Sequence, residues 1–228
     1  MVDDRRDPPL DRGKRRQDSQ SSGRQARRAH IVNNTSVILA SGSAIRAQIL
    51  TAAGVEFRIE RPQVDEDVLK RRHDALADGA LALKLAEEKA AEVSRRHAEL
   101  CLGADQILTF EGRRYDKAGT MAEARGRLRA MRGKPHELIC GAALAKDGDI
   151  VWTHLARSHI QMRDYSEEFL DAYLAEAGEG ILKSVACYQF EGLGAQLFES
   201  ADADYYSVLG LPLLPVLDGL RGQGALKT

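Results

Sequence analysis

Hydrophobic and polar positions follow two periods along the chain, and together they predict a succession of strands and helices. An apolar run over residues 37–40 predicts a short buried strand, and residues 41–43, Ser-Gly-Ser, predict a turn of small residues. Apolar positions over residues 45–53 predict one face of a helix that Gly54 closes. Residues 55–61 predict a second strand. The first part of the chain is therefore predicted to fold as strand, loop, helix and strand.

The same reasoning predicts further elements downstream. Lys146 to Asp149 contain an Asp-Gly pair between two apolar runs, which is typical of a β-hairpin. Ser166 followed by two glutamates is typical of a capped helix start. The predicted elements are an acidic loop at 65–67, a helix over 76–93, strands over 100–110, 136–144 and 150–162, and helices over 121–131, 166–175 and 212–220. This mixture is typical of an α/β protein.

Composition narrows the class of protein. The 228 residues include 33 Lys or Arg and 34 Asp or Glu, and 43% are hydrophobic, which is ordinary for a globular domain. There is no apolar run of about 18 residues to predict a membrane span, and no apolar stretch of the kind found in secretory signals. We therefore expect a cytoplasmic protein without a membrane partner. The three cysteines, Cys101, Cys140 and Cys187, are expected to be buried thiols rather than disulfides or zinc ligands.

The N-terminal segment differs in composition from the rest. Residues 1–30 contain nine Lys or Arg, five Asp and few apolar side chains, so they bury too little surface to offset the entropy of ordering. We predict a disordered, arginine-rich tail over residues 1–33 and one domain over residues 34–224. The tail lacks aromatic side chains that stack on bases, and the remaining chain is net acidic, so no nucleic-acid partner is expected.

An anion-binding site is predicted where the first strand passes into the first helix. Free helical N–H groups, the hydroxyls of Ser41 and Ser43, and the guanidinium of Arg46 come together there. An N-capping role explains Ser43 about equally well.

Charged residues in particular places form a second candidate group. Asp105 interrupts an apolar strand, where a carboxylate needs a partner or a metal ion. Asp65 and Glu66 follow a strand, the usual place for ligands of hard cations. Three isolated lysines at predicted element ends either neutralise a polyphosphate or are simply solvated: Lys89, Lys117 and Lys183.

The order of these pieces resembles the Maf family of nucleoside triphosphate pyrophosphatases. The blocks that carry the resemblance are LASGSAIRAQILTAAGVEF, VDED, LALKLAEEKAAEV, GADQILTFEGRRYDKAGT, AMRGKPHELICGAAL, YQFEGLGAQLFE and YYSVLGLPLLPVL. They extend over residues 37–220 in order and with compatible spacing. No P-loop, dinucleotide fingerprint or serine-nucleophile elbow competes with this interpretation.

The resemblance implies an activity and a fold. The activity is hydrolysis of a nucleoside triphosphate to the monophosphate and diphosphate, with a divalent cation, Mg²⁺ or Mn²⁺, as cofactor. This reaction clears unwanted nucleotides from the pool. The implied fold is α/β, with an elongated mixed sheet, flanking helices and two lobes around a central cleft, often as a homodimer.

The resemblance also implies roles for individual residues. The family loop S-x-S-x-x-R falls on Ser41, Ser43 and Arg46, which would bind the substrate. The metal-linked acid falls on Glu66 or its neighbour Asp65. The general base falls on Asp105, which is also a candidate metal ligand. Lys89 and Lys117 fall on the positions of two catalytic lysines. Lys183, Gln106 and Glu191 fall on positions that would bind the substrate.

Some positions depart from the family pattern or point to one of its branches. Ala44 and Ile45 stand where the family loop usually has a proline and a first arginine. Glu191 stands where many members have Gln. Both this Glu and the Asp105-Gln106 pair resemble the 7-methyl-GTP-cleaving branch of the family. Ile45 does not supply the aromatic side chain of that branch. An ionised carboxylate suits the two adjacent N–H donors of guanine, so we expect a guanine-type base, ordinary or modified, to be preferred over dTTP or UTP.

These residue types fit the implied chemistry, although two other functions stay open. Arg46 and the lysines would neutralise phosphate charge, the acids with the cation would polarise the α-phosphoryl group, and Asp105 would orient or deprotonate water. The altered SGSAIR loop leaves room for a catalytically weak nucleotide-binding regulator. The basic tail leaves room for a nucleic-acid-binding protein.

Overall fold

The computed structural model describes residues 35–228, so the predicted tail over residues 1–33 lies outside the described part of the chain. The described residues form a mixed sheet of seven strands with flanking helices, which confirms the predicted α/β class. The strands are β1 Val37–Ala40, β2 Phe57–Ile59, β3 Leu100–Phe110, β4 Arg113–Tyr115, β5 Pro135–Lys146, β6 Asp149–Met162 and β7 Phe198–Asp202. The helices are α1 Ala44–Ala52, α2 Glu66–Arg72, α3 Asp78–Ser94, α4 Met121–Met131, α5 Glu167–Ala177, α6 Tyr205–Val208 and α7 Leu213–Gly222. Two 3-10 helices cover Gly178–Lys183 and Leu193–Leu197.

One edge of β3 is divided between two partner strands. The sheet order is β2-β1-β3-β5-β6-β7, with β4 also paired to β3. On this edge β1 runs parallel to β3 as far as Gly103, and β4 pairs antiparallel from Leu108 onwards. Within the described residues, positions 104–107 of β3 therefore have no strand partner on this edge. This opening, which we call the edge gap, contains Asp105.

Helix α3 lies unusually close to the sheet because glycines face it. A Cβ atom on Gly103 would lie 2.3 Å from the carbonyl oxygen of Ala86, and one on Gly141 would lie 2.4 Å from that of Ala82. Larger residues on either side would push the helix away. The close approach places the middle of α3 directly beside Asp105.

Two separate hydrophobic cores lie at the two ends of β3. One includes Leu39, Leu50 and Leu102 and packs under α1 and α7. The other includes Leu108 and Leu128 and packs under α4 and α5. The edge gap lies between them, in agreement with the expected arrangement of two lobes around a cleft.

Most predicted elements are confirmed, and several boundaries are corrected. The bounds predicted for β3 and α4 match the structure, and the long hairpin turns through Asp147 and Gly148, both with positive φ. The expected acidic loop at 65–67 is wrong, because these residues begin helix α2. The strand predicted over residues 55–61 is only three residues long. The short elements β4, β7 and α6 were not predicted.

The cysteines and the helices agree with two further expectations. Cys101, Cys140 and Cys187 are free thiols and all three are buried, as predicted. Among residues 35–228, none of the helices combines the length and the apolar character that a membrane span requires.

Candidate active site

The loop between β1 and α1 leaves hydrogen-bond donors unused. Ser43 stands at the N-cap position of α1, but its side chain makes no capping hydrogen bond. Ser41, which is buried, instead accepts from the backbone N–H of Ser43 at 3.2 Å and from Nη1 of Arg46 at 3.1 Å. The capping explanation of Ser43 is therefore wrong. Its hydroxyl and the N–H groups of the first helical turn are left to meet an anion.

Arg46 joins segments that are far apart in the sequence beside this loop. Its Nε donates to the carbonyl oxygen of Gly210 at 2.7 Å, and Nη1 donates to that of Ala104 at 2.9 Å. Arginine has five N–H donors, and these bonds with the one to Ser41 use three of them. Nη2 has no hydrogen-bond partner among residues 35–228, so it is free to bind a phosphate oxygen. Arg46 therefore shapes the site and also supplies donors to it.

A buried lysine holds two carboxylates at the edge gap. Nζ of Lys89 lies 2.6 Å from Oδ1 of Asp105 and 2.8 Å from Oε1 of Glu66. Lys89 is 5% exposed and Asp105 is 6% exposed, whereas half of the Glu66 side chain is exposed. The expectation that Lys89 stands at an element end is wrong, because it lies within α3 and faces the sheet. Asp105 thus has the cationic partner that its burial requires.

Surrounding cations keep Glu66 ionised. Burial raises the pKa of Glu66, but the charge and hydrogen bond of Lys89, helped by the charges of Lys70 and Lys117, lower it further, and the net pKa is below its ordinary value. Glu66 therefore presents a carboxylate at neutral pH, with its exposed half facing solvent.

The two neighbouring acids 65 and 66 have different surroundings. Oδ1 of Asp65 accepts from the backbone N–H of Val68 at 2.9 Å and so caps α2. Glu66, in the first turn, reaches Lys89. Among the described residues there is no group of three His, Cys, Asp or Glu side chains placed to hold a metal ion. Mg²⁺ commonly uses only about one or two carboxylates and takes its other ligands from water and phosphate, and Glu66 with Asp105 fits that pattern.

The remaining predicted site residues lie at different distances from this cluster. Lys117 is exposed in the β4–α4 connection, close enough to Glu66 to lower its pKa. Nε2 of Gln106 donates to the carbonyl oxygens of Ser207 and Val208, both at 3.0 Å, and anchors α6. Lys183 is exposed at the end of a 3-10 helix and forms no ion pair within residues 35–228. The structure brings Lys117 to the cluster but does not bring Lys183 into contact with it.

Glu191 lies in the other lobe. It is exposed in the segment before the 3-10 helix Leu193–Leu197. Burial raises the pKa of the nearby Tyr173 phenol, and the negative charge of Glu191 adds a smaller increase. It forms no ion pair with a Lys or Arg in the part of the chain that is described.

Two charged residues at the cluster were not predicted. Lys70, one turn after Glu66 on α2, forms an ion pair with Asp116, the residue before Lys117. Burial lowers the pKa of Lys70, but Asp116, Asp105 and Glu66 raise it more, so the net pKa is raised. The i,i+4 spacing of Glu66 and Lys70 would have placed both on one face had residues 66–72 been recognised as a helix.

Comparison with known proteins gives matches over most of the chain. The family model described as Maf-like protein matches residues 36–223. The chain is 47% identical over 194 residues to a protein of Maricaulis maris named nucleoside triphosphate pyrophosphatase, covering 85% of this chain and 99% of the relative. It is 39% identical over 193 residues to a protein of Rhizobium meliloti named 7-methyl-GTP pyrophosphatase, covering 83% and 97%. A solved nucleoside-triphosphatase of Mycobacterium abscessus, described as a dITP/XTP pyrophosphatase, aligns over 83% of this chain and 94% of its own, at 15% identity. Its TM-score of 0.38 is too low to support an argument.

Proposed function

The chain belongs to the Maf-like protein family, and on that basis we propose that it is a nucleoside triphosphate pyrophosphatase, which hydrolyses a nucleoside triphosphate to the monophosphate and diphosphate. The observation that carries this proposal is the triad of Glu66, Lys89 and Asp105 at the edge gap. A buried carboxylate held by one lysine beside a helix N-terminus suits water activation next to a bound phosphate.

The β1–α1 loop would bind the triphosphate. The free hydroxyl of Ser43, the first-turn N–H groups of α1 and Nη2 of Arg46 are donors without partners among the described residues. Charge-assisted hydrogen bonds of this kind neutralise phosphate oxygens and hold the chain of phosphates in place. Lys117 would add positive charge on the opposite side of the edge gap. We leave Lys183 as a weaker candidate for the same task, because nothing places it at the cluster.

Asp105 would orient or deprotonate the water that attacks the α-phosphorus atom. Lys89 fixes Asp105 in place, since Nζ contacts one of its two carboxylate oxygens and leaves the other available. The attack forms a bond from the water oxygen to the α-phosphorus and breaks the bond to the bridging oxygen, and diphosphate leaves with that electron pair. The protein's contribution is mostly positioning and charge neutralisation.

A divalent cation is part of the proposal. Glu66 and Asp105 would hold it, and Asp65 is the weaker of the two neighbouring candidates because one of its oxygens caps α2. Mg²⁺ or Mn²⁺ bound there would supply Lewis-acid polarisation of the phosphoryl oxygens.

The base is proposed to be of guanine type, ordinary or 7-methylated. Glu191 is exposed and without an ion-pair partner among residues 35–228, so its carboxylate is free to accept two N–H groups of a guanine. One relative is named 7-methyl-GTP pyrophosphatase, which fits this preference. We also propose that the reaction takes place in the cytoplasm.

A nucleotide panel tests the function and the base together. Diphosphate release from GTP, 7-methyl-GTP, dTTP and UTP would be measured with Mg²⁺ and with Mn²⁺. We expect a guanine nucleotide to have the highest kcat/KM, and Glu191→Gln to narrow or reverse that order. Binding of nucleotide without diphosphate release from any of the four would instead favour a nucleotide-binding regulator. Higher kcat/KM values for dTTP and UTP than for both guanine nucleotides would contradict the role of Glu191.

Self-association is also part of the proposal. Strand β7 pairs only with residues 159–162 of β6, so the edge of β6 over residues 149–158 has no strand partner within the described chain. Such an open edge without proline or lysine is a template for pairing with another chain. We expect light scattering to give the mass of a dimer, and a monomer at micromolar concentration would contradict this part.

A further inference from the structure

An ion pair joins two segments that lie next to the edge gap. Nζ of Lys70, on α2, contacts Oδ1 of Asp116, in the connection between β4 and α4. We propose that Lys70 and Asp116 are positioning residues, and that their ion pair is a latch that holds the adjacent Lys117 over the Glu66–Lys89–Asp105 cluster. The inference rests on the proposed function, because it concerns turnover at that same site.

The neighbours of the latch place it at the cluster. Lys70 and Glu66 are four residues apart on α2, and such residues lie on one face of a helix. The charges of Glu66 and Asp105 both act on Lys70, and the charge of Lys117 acts on Glu66. The contacts of Lys89 with Glu66 and Asp105, and of Lys70 with Asp116, therefore place the latch beside the cluster.

A second set of contacts, made by Arg114, fixes the strand that leads into this connection. Arg114, on β4, donates from Nε to Oδ1 of Asp78 at 2.5 Å and from Nη1 to the carbonyl oxygen of Asp74 at 3.1 Å. Its Nη2 also donates to the carbonyl oxygen of Leu76. These bonds tie β4 to the connection between α2 and α3. Beyond Tyr115 the strand has ended, and the ion pair between Lys70 and Asp116 holds the β4 side of the connection. On its α4 side, Ala118 is buried in the core under α4 and α5, and the N–H of Gly119 donates to Oε2 of Glu123 at 2.7 Å. Lys117 lies between these two anchors, next to the latch.

The exposure of the pair sets the size of the expected effect. One third of the Lys70 side chain and three quarters of the Asp116 side chain are exposed. Exposed ion pairs shift an equilibrium by up to about five-fold. Loss of the latch should therefore misplace Lys117 for part of the time without unfolding the domain, and reduce kcat/KM by about five-fold.

A mutant cycle tests the latch. We expect Lys70→Met and Asp116→Asn each to lower kcat/KM for the best nucleotide by about five-fold, and the double variant to be no worse than either single one. Lys70→Arg, which keeps the charge, should retain at least half of the activity. In a Lys117→Met background neither change should have a further effect, because the latch acts through Lys117. A merely structural pair would show no such dependence on Lys117.

The chain supplies a matched control pair. Nζ of Lys134 lies 2.8 Å from Oε1 of Glu111, and about half of each side chain is exposed, but neither residue contacts the cluster. Lys134→Met should leave kcat/KM within two-fold of the unmodified protein. Melting temperatures of all variants should agree within a few degrees.

Several results would overturn the latch. Activities of both single variants within two-fold of the unmodified protein would show a solvated surface pair. A much larger loss for Lys70→Met than for Asp116→Asn would show that Lys70 acts on the nucleotide directly. If the unmodified protein releases no diphosphate, the proposed function fails. The same set of variants is then compared by their Kd for a non-hydrolysable α,β-methylene nucleoside triphosphate. Equal Kd values for all variants, or no binding, would overturn the latch.

Discussion

Replacing Lys89 with methionine removes the cation that holds Asp105 in the interior. The two side chains are joined at 2.6 Å and both are more than nine-tenths buried. Removing one partner of a buried ion pair typically costs about 3–5 kcal/mol of unfolding free energy, because the other charge is left without compensation. Protonation of the carboxyl group that has lost its cationic partner limits this loss of unfolding free energy. An ordinary carboxylic acid with a pKa of about 3.9 requires about 4 kcal/mol to be protonated at pH 7. We therefore expect Lys89→Met to lose up to about 4 kcal/mol at pH 7.

The pH dependence of this loss has a definite sign. In the variant the folded state favours the neutral carboxyl, so it binds the proton more tightly than the unfolded state does. The loss is then largest at high pH and shrinks as the pH falls, by about 1.4 kcal/mol per unit. At pH 5 about 1.5 kcal/mol should remain. Lys89→Met/Asp105→Asn, which removes the buried charge as well, should recover much of the stability at pH 7.

Urea unfolding at pH 5, 6 and 7 measures these quantities. Lys84→Met on the exposed face of α3 is the matched control, since Lys84 pairs with Glu88 at 2.9 Å near solvent and should contribute less than about 1 kcal/mol. The reasoning would be refuted by a loss for Lys89→Met that is the same at pH 5 and pH 7. A double variant as unstable as the single one at pH 7 would refute it too.

Three further predictions concern single residues. Asp105→Asn should lower kcat by about 100-fold or more while the Kd of a non-hydrolysable triphosphate changes little, and near-normal diphosphate release would remove Asp105 from the mechanism. Arg46→Ala should weaken triphosphate binding by about 2–3 kcal/mol in calorimetric titration and also lower the melting temperature, because the carbonyl oxygens of Gly210 and Ala104 lose their donor. Burial lowers the pKa of His136 to about 4 from 6.5, so the unfolded chain binds its proton first as the pH falls, and up to about 3 kcal/mol of stability is lost between pH 6.5 and pH 4. His136→Gln should flatten the dependence of melting temperature on pH in that window, and an unchanged slope would contradict this origin.

Elements with a strong local pattern could be predicted, and weakly patterned ones could not. The bounds of β3 and α4 follow from the period of their own apolar residues. Helix α2 was mistaken for an acidic loop because it is short and charged. The sequence nevertheless carries local features that are typical of a helix here, since Asp65 caps its start and Lys70–Arg72 provide basic residues in its last turn. Strand β7 pairs with residues 159–162 of β6, far away in the sequence, so no local pattern marks it. Strand β4 follows β3 through the turn Glu111-Gly112, but it has only three residues, two of them arginines, and so no apolar pattern marks it.

The sequence by itself determined the order of the elements, the family and the residue types at the site. The tertiary structure decided which of these residues meet. Lys89 carries the pattern of a solvated lysine, and it is buried because Gly103 and Gly141 allow α3 to approach the sheet. Arg46 bonds to Gly210, which is 164 residues away, and this contact uses donors that the sequence assigned to phosphate. Periodicity is fixed by the geometry of neighbouring residues along one strand or helix, whereas burial and ion pairing depend on close packing between segments far apart in the chain, which no local pattern contains.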